Sequence, residues 1–237
     1  AQWSFGGENT LTWAGIDFSI KSNKLWTYRF VYGYDFSHLD TRELRGGPAL
    51  RVDGEHQSGF LISSNSSKNL FGHVGFHYNV YGVGSSHQEI AHGGLTWTPF
   101  RKLKLSGRAS YNQRKYHQQY VTTLRGDQET LYLTGYIDQQ TTSLTFRGEV
   151  FINAELSIQY YGSPYYSVGK YDRFGSVDQA RSKDLSQRFH SLDVSYDEST
   201  NFYSFDLNGA SWSFHNPDFS FMQFRSNLVL RWEYKLG

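Results

Sequence analysis

The chain lacks cysteine altogether and has one methionine, Met222, in 237 residues. Disulfide frameworks, thiolate zinc sites and cysteine nucleophiles are therefore excluded. Long apolar runs are lacking too. No stretch approaches the ~20 residues that a membrane-spanning helix needs, and helical bundles or coiled coils need more Ala, Leu, Glu and Lys than this chain holds. An excess of one charge is also missing: 23 Lys and Arg face 22 Asp and Glu, a formal net charge of +1, with no block of like sign. The basic footprint of a nucleic-acid binder is absent, so no nucleic-acid partner is expected. Ala1-Gln2-Trp3 opens the sequence without the basic and apolar regions of a secretory signal.

What is plentiful is aromatic: 18 Tyr, 18 Phe and 6 Trp, 18% of the chain. Yet mean hydropathy is only −0.59. Disordered chains are poor in aromatics, so the composition points to an ordered, aromatic-rich all-β protein. Period-two alternation, which marks a strand with two unlike faces, runs through it. Phe224, Ser226, Leu228, Leu230, Trp232, Tyr234 and Leu236 share one face, while Arg225, Asn227, Val229, Arg231, Glu233 and Lys235 share the other. Leu103, Leu105, Gly107, Ala109 and Tyr111 alternate with Lys104, Ser106, Arg108 and Ser110. Leu144, Phe146, Gly148, Val150 and Ile152 alternate with Ser143, Thr145, Arg147 and Glu149.

Tight links at Lys21-Ser22-Asn23-Lys24, Ser66-Ser67-Lys68-Asn69, Thr98-Pro99-Phe100-Arg101 and Asn153-Ala154-Glu155 carry turn residues. Longer polar links run over 39–55, 122–128 and 169–218, with a short one at Gly84-Ser85-Ser86. About ten strands are expected, near 10–22, 24–38, 55–65, 69–83, 87–98, 102–121, 129–140, 141–152, 156–168 and 218–236. If 132–140 belongs to an excursion rather than a spanning strand, short and long links alternate strictly. That pattern predicts an antiparallel transmembrane β-barrel, with lipid-facing and lumen-facing residues in alternation and aromatics at strand ends. A soluble two-sheet sandwich also alternates, but its interior face would be richer in aliphatics and its strands shorter. The chain stops one residue into a turn after its last strand, so the barrel region 1–237 is expected to be part of a larger barrel.

Several stretches carry a family resemblance. They are Thr41-Arg42-Glu43-Leu44-Arg45-Gly46-Gly47-Pro48-Ala49-Leu50, Tyr120-Val121-Thr122-Thr123 with Asp138-Gln139-Gln140-Thr141, and Leu156 through Tyr165 with Gly169-Lys170-Tyr171. The most specific is Asn216-Pro217-Asp218-Phe219 followed by Gln223 through Tyr234. Together they resemble the C-terminal outer-membrane barrel, a domain of unknown function, of bacterial proteins that bear a family-9-like carbohydrate-binding module. The resemblance implies the outer membrane of two-membraned bacteria, a carbohydrate module ahead of residue 1, and further strand sequence after Arg231-Trp232-Glu233-Tyr234. It supplies no catalytic residue and implies no cofactor.

The lumen-facing candidates are Arg147, Glu149, Arg225, Asn227, Arg231, Glu233 and Lys235. The excursion 169–218 is too aromatic for a floppy loop and is expected to fold as an extracellular cap. Tyr171, Phe174, Tyr196, Tyr203 and Trp212 are its candidate surface residues for stacking on sugar rings or docking a partner. Nine histidines raise a metal reading for His73, His77, His87 and His92, against lumen lining; zinc needs converging ligands. A calcium reading for His190, Asp193 and Asp197 stands against an ordinary loop. His190-Ser191 and His38 near Asp40 are neighbours that a hydrolase could use. Arg125-Gly126-Asp127 reads as a polar turn. Gly46-Gly47-Pro48 is either an inward constriction or an extracellular bend. The functional expectation is a non-enzymatic outer-membrane channel or docking subunit, with lipid, glycans and other outer-membrane proteins as partners. A structural anchor for a larger complex, and an outer-membrane hydrolase, are the alternatives.

Overall fold

The computed structural model describes residues 2–3, 7, 9–82, 85–127 and 129–234. β1 (Gln2–Trp3) and β2 (Asn9–Leu11) form a small ribbon. β3 (Trp13–Lys21) and β4 (Thr27–Asp35) make the first hairpin of the main sheet, and β5 (His38–Asp40) and β6 (Leu50–Val52) pair separately in the link that follows. The main sheet continues through β7 (Glu55–Ser63), β8 (Leu70–Tyr81), β9 (His87–Phe100), β10 (Leu103–Arg125), β11 (Thr130–Phe151) and β12 (Leu156–Val177). A short helix α1 (Leu185–Arg188) leads into β13 (Phe189–Ser191). β14 (Ser195–Asp197), β15 (Phe202–Leu207) and β16 (Ala210–His215) form their own three-stranded sheet, and β17 (Phe219–Trp232) returns to β12.

The architecture is all-β and antiparallel, in the order β3-β4-β7-β8-β9-β10-β11-β12-β17. β12 changes partner along its length: β17 lies against Leu156 to Gly169, and β13 against Gly175 to Val177. Two expectations are corrected. The segments 129–140 and 141–152 are one 22-residue strand, β11, because no turn residue interrupts Gln139-Gln140-Thr141-Thr142. The excursion starts later than residue 169, since β12 runs on to Val177. With β11 continuous, short links (22–26, 64–69, 101–102, 152–155) and the links of the opposite end alternate without exception. Among the described residues β3 and β17 each have one neighbour in the main sheet, so it is an open sheet.

The two faces differ as the alternation dictates. Phe18, Phe30, Phe60, Phe76, Ala91 and Tyr111 lie side by side across six strands. One residue along, Asp17, Val31, Gly59, His77, Ile90, Asn112, Thr141 and Ser167 form the opposite face. Among the described residues the apolar face has no protein cover: Ile16 is 72% exposed, Val74 57% and Leu228 67%.

The buried hydrophobic side chains all lie elsewhere, within 44–50, 116, 131–137 and 174–214. Leu131, Leu133, Phe174, Leu192, Phe205 and Phe214 form one cluster, and Leu44, Leu50 and Ala180 a second. Each large side chain so buried contributes about 1.5–3 kcal/mol. Tyr132, between Leu131 and Leu133 and so on the other face of β11, packs on the second cluster. The upper ends of β10, β11 and β12 are thus covered on both faces, while the lower sheet is covered on neither. Bulges mark the changeover. β10 carries extra residues at 116–119 and 120–122, and β12 carries one at Arg173, whose φ is 48°. The β12 bulge re-phases the alternation, so Phe174 leaves the apolar outer series and enters the cap core opposite Gly135.

The 36–54 link, a strap between β4 and β7, reaches the segment that follows β12. Arg51 N–H donates to the Ala180 carbonyl (2.8 Å), and its Nε to the Arg181 carbonyl (3.0 Å). Arg188, fully buried, donates to the Arg51 carbonyl (2.9 Å) and pairs with Asp53. A buried guanidinium requires that pairing, and stranding it costs about 3–5 kcal/mol. Asp53→Ala is therefore expected to open the 36–54 strap to limited proteolysis while leaving the β-sheet circular dichroism unchanged. Arg188→Met, which removes the charge and keeps the volume, should open it less. Equal protection of Asp53→Ala and the parent protein would refute the clamp.

Candidate functional site

The polar face supplies the site. Register places Ser106, Arg147, Tyr161 and Asn227 in one row across β10, β11, β12 and β17. The next row holds Lys104, Glu149, Gln159 and Val229. These rows line a cleft of about 780 Å³ that also takes in Arg108. Arg147 lies over the Tyr161 ring, 5.2 Å from its centroid. Gln159 Nε2 donates to Glu149 Oε1 at 2.7 Å.

Of the lumen-facing candidates, Arg147, Glu149 and Asn227 thus meet in one cleft. Arg225 is two residues from Asn227 on the same face, opposite Ser163. Arg231 lies further toward the tight-turn end, opposite Ser157, and pairs with Glu233. Lys235 is outside the described residues. Lys104 and Arg108 were not singled out as site residues. Their face was legible from the alternation in β10, but their neighbours depend on a register that joins residues some 40 positions apart.

A second cleft of about 470 Å³ on the same face is lined by Arg29, Gln57, Leu61, His77, Asn79 and His92, among others. The His77 and His92 rings stack at 5.5 Å and 14°. His73 is 6.0 Å from His92. Each ring lies over a glycine of an adjacent strand: a Cβ at Gly59 would sit 2.4 Å from His77 Nδ1, and one at Gly75 2.6 Å from His92 Cε1. This arrangement is ring packing on a polar wall. Among the described residues no group of three His, Asp or Glu side chains converges as a metal site requires. His87 Nδ1 instead donates to the Ser85 carbonyl, 2.9 Å away.

The cap residues go mostly inward, a correction to their expected role as a stacking surface. Phe174 is 2% exposed within the cap core, and Tyr171, Tyr203 and Trp212 pack against that core. Tyr203 stacks on Phe214 at 5.4 Å. Tyr196, 42% exposed and packed on Tyr203 at 4.7 Å, is the one that faces solvent. The physical reason is that the three-stranded sheet needs one face covered, and these aromatics are its covering. Trp212 also rests on Gly126, where a Cβ would come within 2.7 Å, so Arg125-Gly126-Asp127 is a packed turn. Gly46-Gly47-Pro48 is a bend seated on the cap, with Gly47 against Tyr132 and Arg45 over the Tyr120 ring at 4.9 Å. Beneath it, burial and then neighbouring Asp40 raise the Glu43 carboxyl above its ordinary value, against the pull of Arg114 and Arg45.

His38 Nδ1 donates to the Phe36 carbonyl (3.0 Å), while Asp40 accepts from Arg42 N–H. The serine–histidine contact that the fold does make is a different one. Ser86, fully buried, lies 2.9 Å from His117 Nδ1 and accepts from the His117 backbone N–H at 3.0 Å. Arg173 faces the other ring nitrogen at 3.5 Å and lies over the Tyr136 ring at 3.9 Å. With a cation at Nε2, the neutral ring donates from Nδ1 to Ser86, which makes this pair a latch between the β8–β9 link and β10. Burial first, and Arg173 second, hold His117 below the ordinary histidine value of 6.5, against Asp172. A depressed folded value means the unfolded chain binds the proton more readily. The latch therefore contributes its full stability above pH 6.5 and loses it as pH falls through the folded value. An NMR titration of the purified protein should find His117 below 6.5, and Arg173→Gln should move it upward. An unshifted His117 in that variant would refute the assignment.

Comparison with known proteins yields no match among curated proteins and none among solved structures. Family membership is nevertheless established over nearly the whole of the chain. The chain belongs to the family described as a domain of unknown function, DUF5916, which matches residues 6–232 and hence the main sheet, the strap and the cap together.

Proposed function

We propose that this chain forms the wall of an outer-membrane β-barrel, with its polar face turned to a lumen and its cap at the extracellular mouth. In this reading it serves as a channel or solute-docking subunit in the bacterial outer membrane. The observation that carries it is the division of apolar surface. Among the described residues, buried hydrophobics are confined to the strap, the cap and the upper ends of β10, β11 and β12, while nine strands expose one continuous apolar face. Patches beyond a few hundred Å² are rare on soluble monomers.

Dimensions support the same reading. On β10 the outward series is apolar from Leu103 to Tyr111 and turns polar at Gln113 and Lys115. That is close to the 9–11 tilted residues a membrane strand needs. Trp97, Tyr160 and Trp232 sit on this face near the tight-turn end, where an aromatic girdle belongs. Closure follows from the cost of unpaired N–H and C=O groups in hydrocarbon. Nine antiparallel strands leave β3 and β17 running in the same direction. A barrel that stays antiparallel throughout needs an odd number of further strands between them. The link to glycans rests on the resemblance to barrels that follow a carbohydrate-binding module.

Neighbouring residues test the membrane directly. Leu144 lies on the apolar face, 45% exposed, and Thr145 on the polar one. Leu144→Arg is expected to destabilise the protein in lipid vesicles by about 2–4 kcal/mol, read by denaturant unfolding, whereas Thr145→Arg should have little effect. On a water-exposed sheet both would fall within about 0.5 kcal/mol of the parent, which would overturn the reading. In planar bilayers a channel should give stepwise conductance. A silent bilayer with stably co-purifying outer-membrane proteins would favour the anchoring role instead.

A further inference from the structure

We infer that the cleft between β9 and β17 is a binding site for a small polyanion bearing carboxylate or phosphate oxygens. The inference rests on the polar face being solvent-filled, as the proposed lumen requires. Its basis is a local imbalance of charge. Lys104, Arg108 and Arg147 line the cleft, and Arg225 adds a fourth cation on the same face of β17. The single carboxylate in the lining, Glu149, is already engaged by Gln159 at 2.7 Å. No carboxylate among the described residues pairs with any of the four cations.

Two other arginines of this face are treated differently. Arg29 is held by Asp17 in a two-pronged contact, and Arg231 by Glu233. Pairing is thus available to this sheet and is withheld at the cleft. Arg147 is also pre-oriented. Its guanidinium carbon sits over the Tyr161 ring, an arrangement in which the N–H edge can still meet a two-oxygen acceptor. Asn227 and Gln159 offer amide groups beside it. The volume, about 780 Å³, lies within the usual range for small-molecule sites, and a few convergent polar groups in such a cleft are what fixes a ligand.

The test uses the full chain in non-ionic detergent, titrated by calorimetry with citrate, with tripolyphosphate and with a neutral maltooligosaccharide. The anions should bind, with affinity falling as salt rises, and the neutral sugar should bind at least tenfold more weakly, about 1.4 kcal/mol. Arg108→Gln/Arg147→Gln/Arg225→Gln should weaken anion binding at least tenfold. Glu149→Gln, which removes the one lining carboxylate, should strengthen it about twofold to fivefold. Binding of citrate alone or tripolyphosphate alone supports the site and names its chemistry as carboxylate or phosphate. Equal binding of the neutral sugar, or anion binding untouched by the triple variant, would overturn it. Circular dichroism of the triple variant confirms that loss of binding is not loss of fold. Vesicle insertion is scored separately: a chain that inserts but binds no anion sinks this inference alone, and one that binds anions but does not insert sinks the membrane reading alone.

Discussion

The constraint on which the structure depends is that a single-layer sheet must satisfy two surroundings at once. Its backbone groups are paired strand to strand, so what remains is the fate of its two faces. One is made of Phe18, Phe30, Phe60, Phe76 and their neighbours, the other of Gln57, His77, Asn112, Arg147 and theirs. A sandwich would cover the first with a second sheet. Among the described residues nothing does so, and the aromatic side chains of the excursion are used in the cap.

The same strands serve both halves. β10, β11 and β12 run for 23, 22 and 22 residues, about twice what a membrane crossing needs. Their upper ends follow the rules of a water-soluble protein, with Leu133 and Phe174 fully packed. Passing from one regime to the other requires the side-chain phase to change, because strict period two would carry Phe174 outward. The extra residue at Arg173 makes that change, and its left-handed backbone is compensated by the Tyr136 ring and Asp172 at either side of its guanidinium. The strap adds a second tie. The Arg188 clamp to Asp53 joins two segments 135 residues apart, so the cap cannot be regarded as an appendage to β12 alone.

Much of this was legible in the sequence, and for identifiable reasons. Alternation in 103–111, 143–152 and 224–236 is local, so strands and faces followed from it directly. The continuity of β11 is not legible from alternation, because Gln139-Gln140-Thr141-Thr142 is polar on both faces. Inside the excursion, Asn208-Gly209 is a strong hairpin signal. Both residues have positive φ, 53° and 78°, at the β15–β16 turn. It marks the β15–β16 hairpin, one part of the three-stranded sheet. The Ser86–His117 latch and the Lys104, Arg108 and Arg147 cleft were not legible, since each depends on register between distant segments.

The charge pattern of the polar face bears on what kind of interior it can line. Cations paired as Arg29 with Asp17 could lie in a dry, plugged interior. Lys104, Arg108, Arg147 and Arg225 could not, because removing an unpaired ion from water costs several kcal/mol even after relaxation. Four such groups would together exceed the 5–15 kcal/mol by which most domains are stable. This part of the face therefore has to stay hydrated or hold an anion. Small eight-stranded barrels fill their interiors with side chains, whereas larger ones leave room for water. In the proposed barrel, the nine strands would already exceed the smaller class, and the unpaired cations favour an aqueous lumen over a packed one.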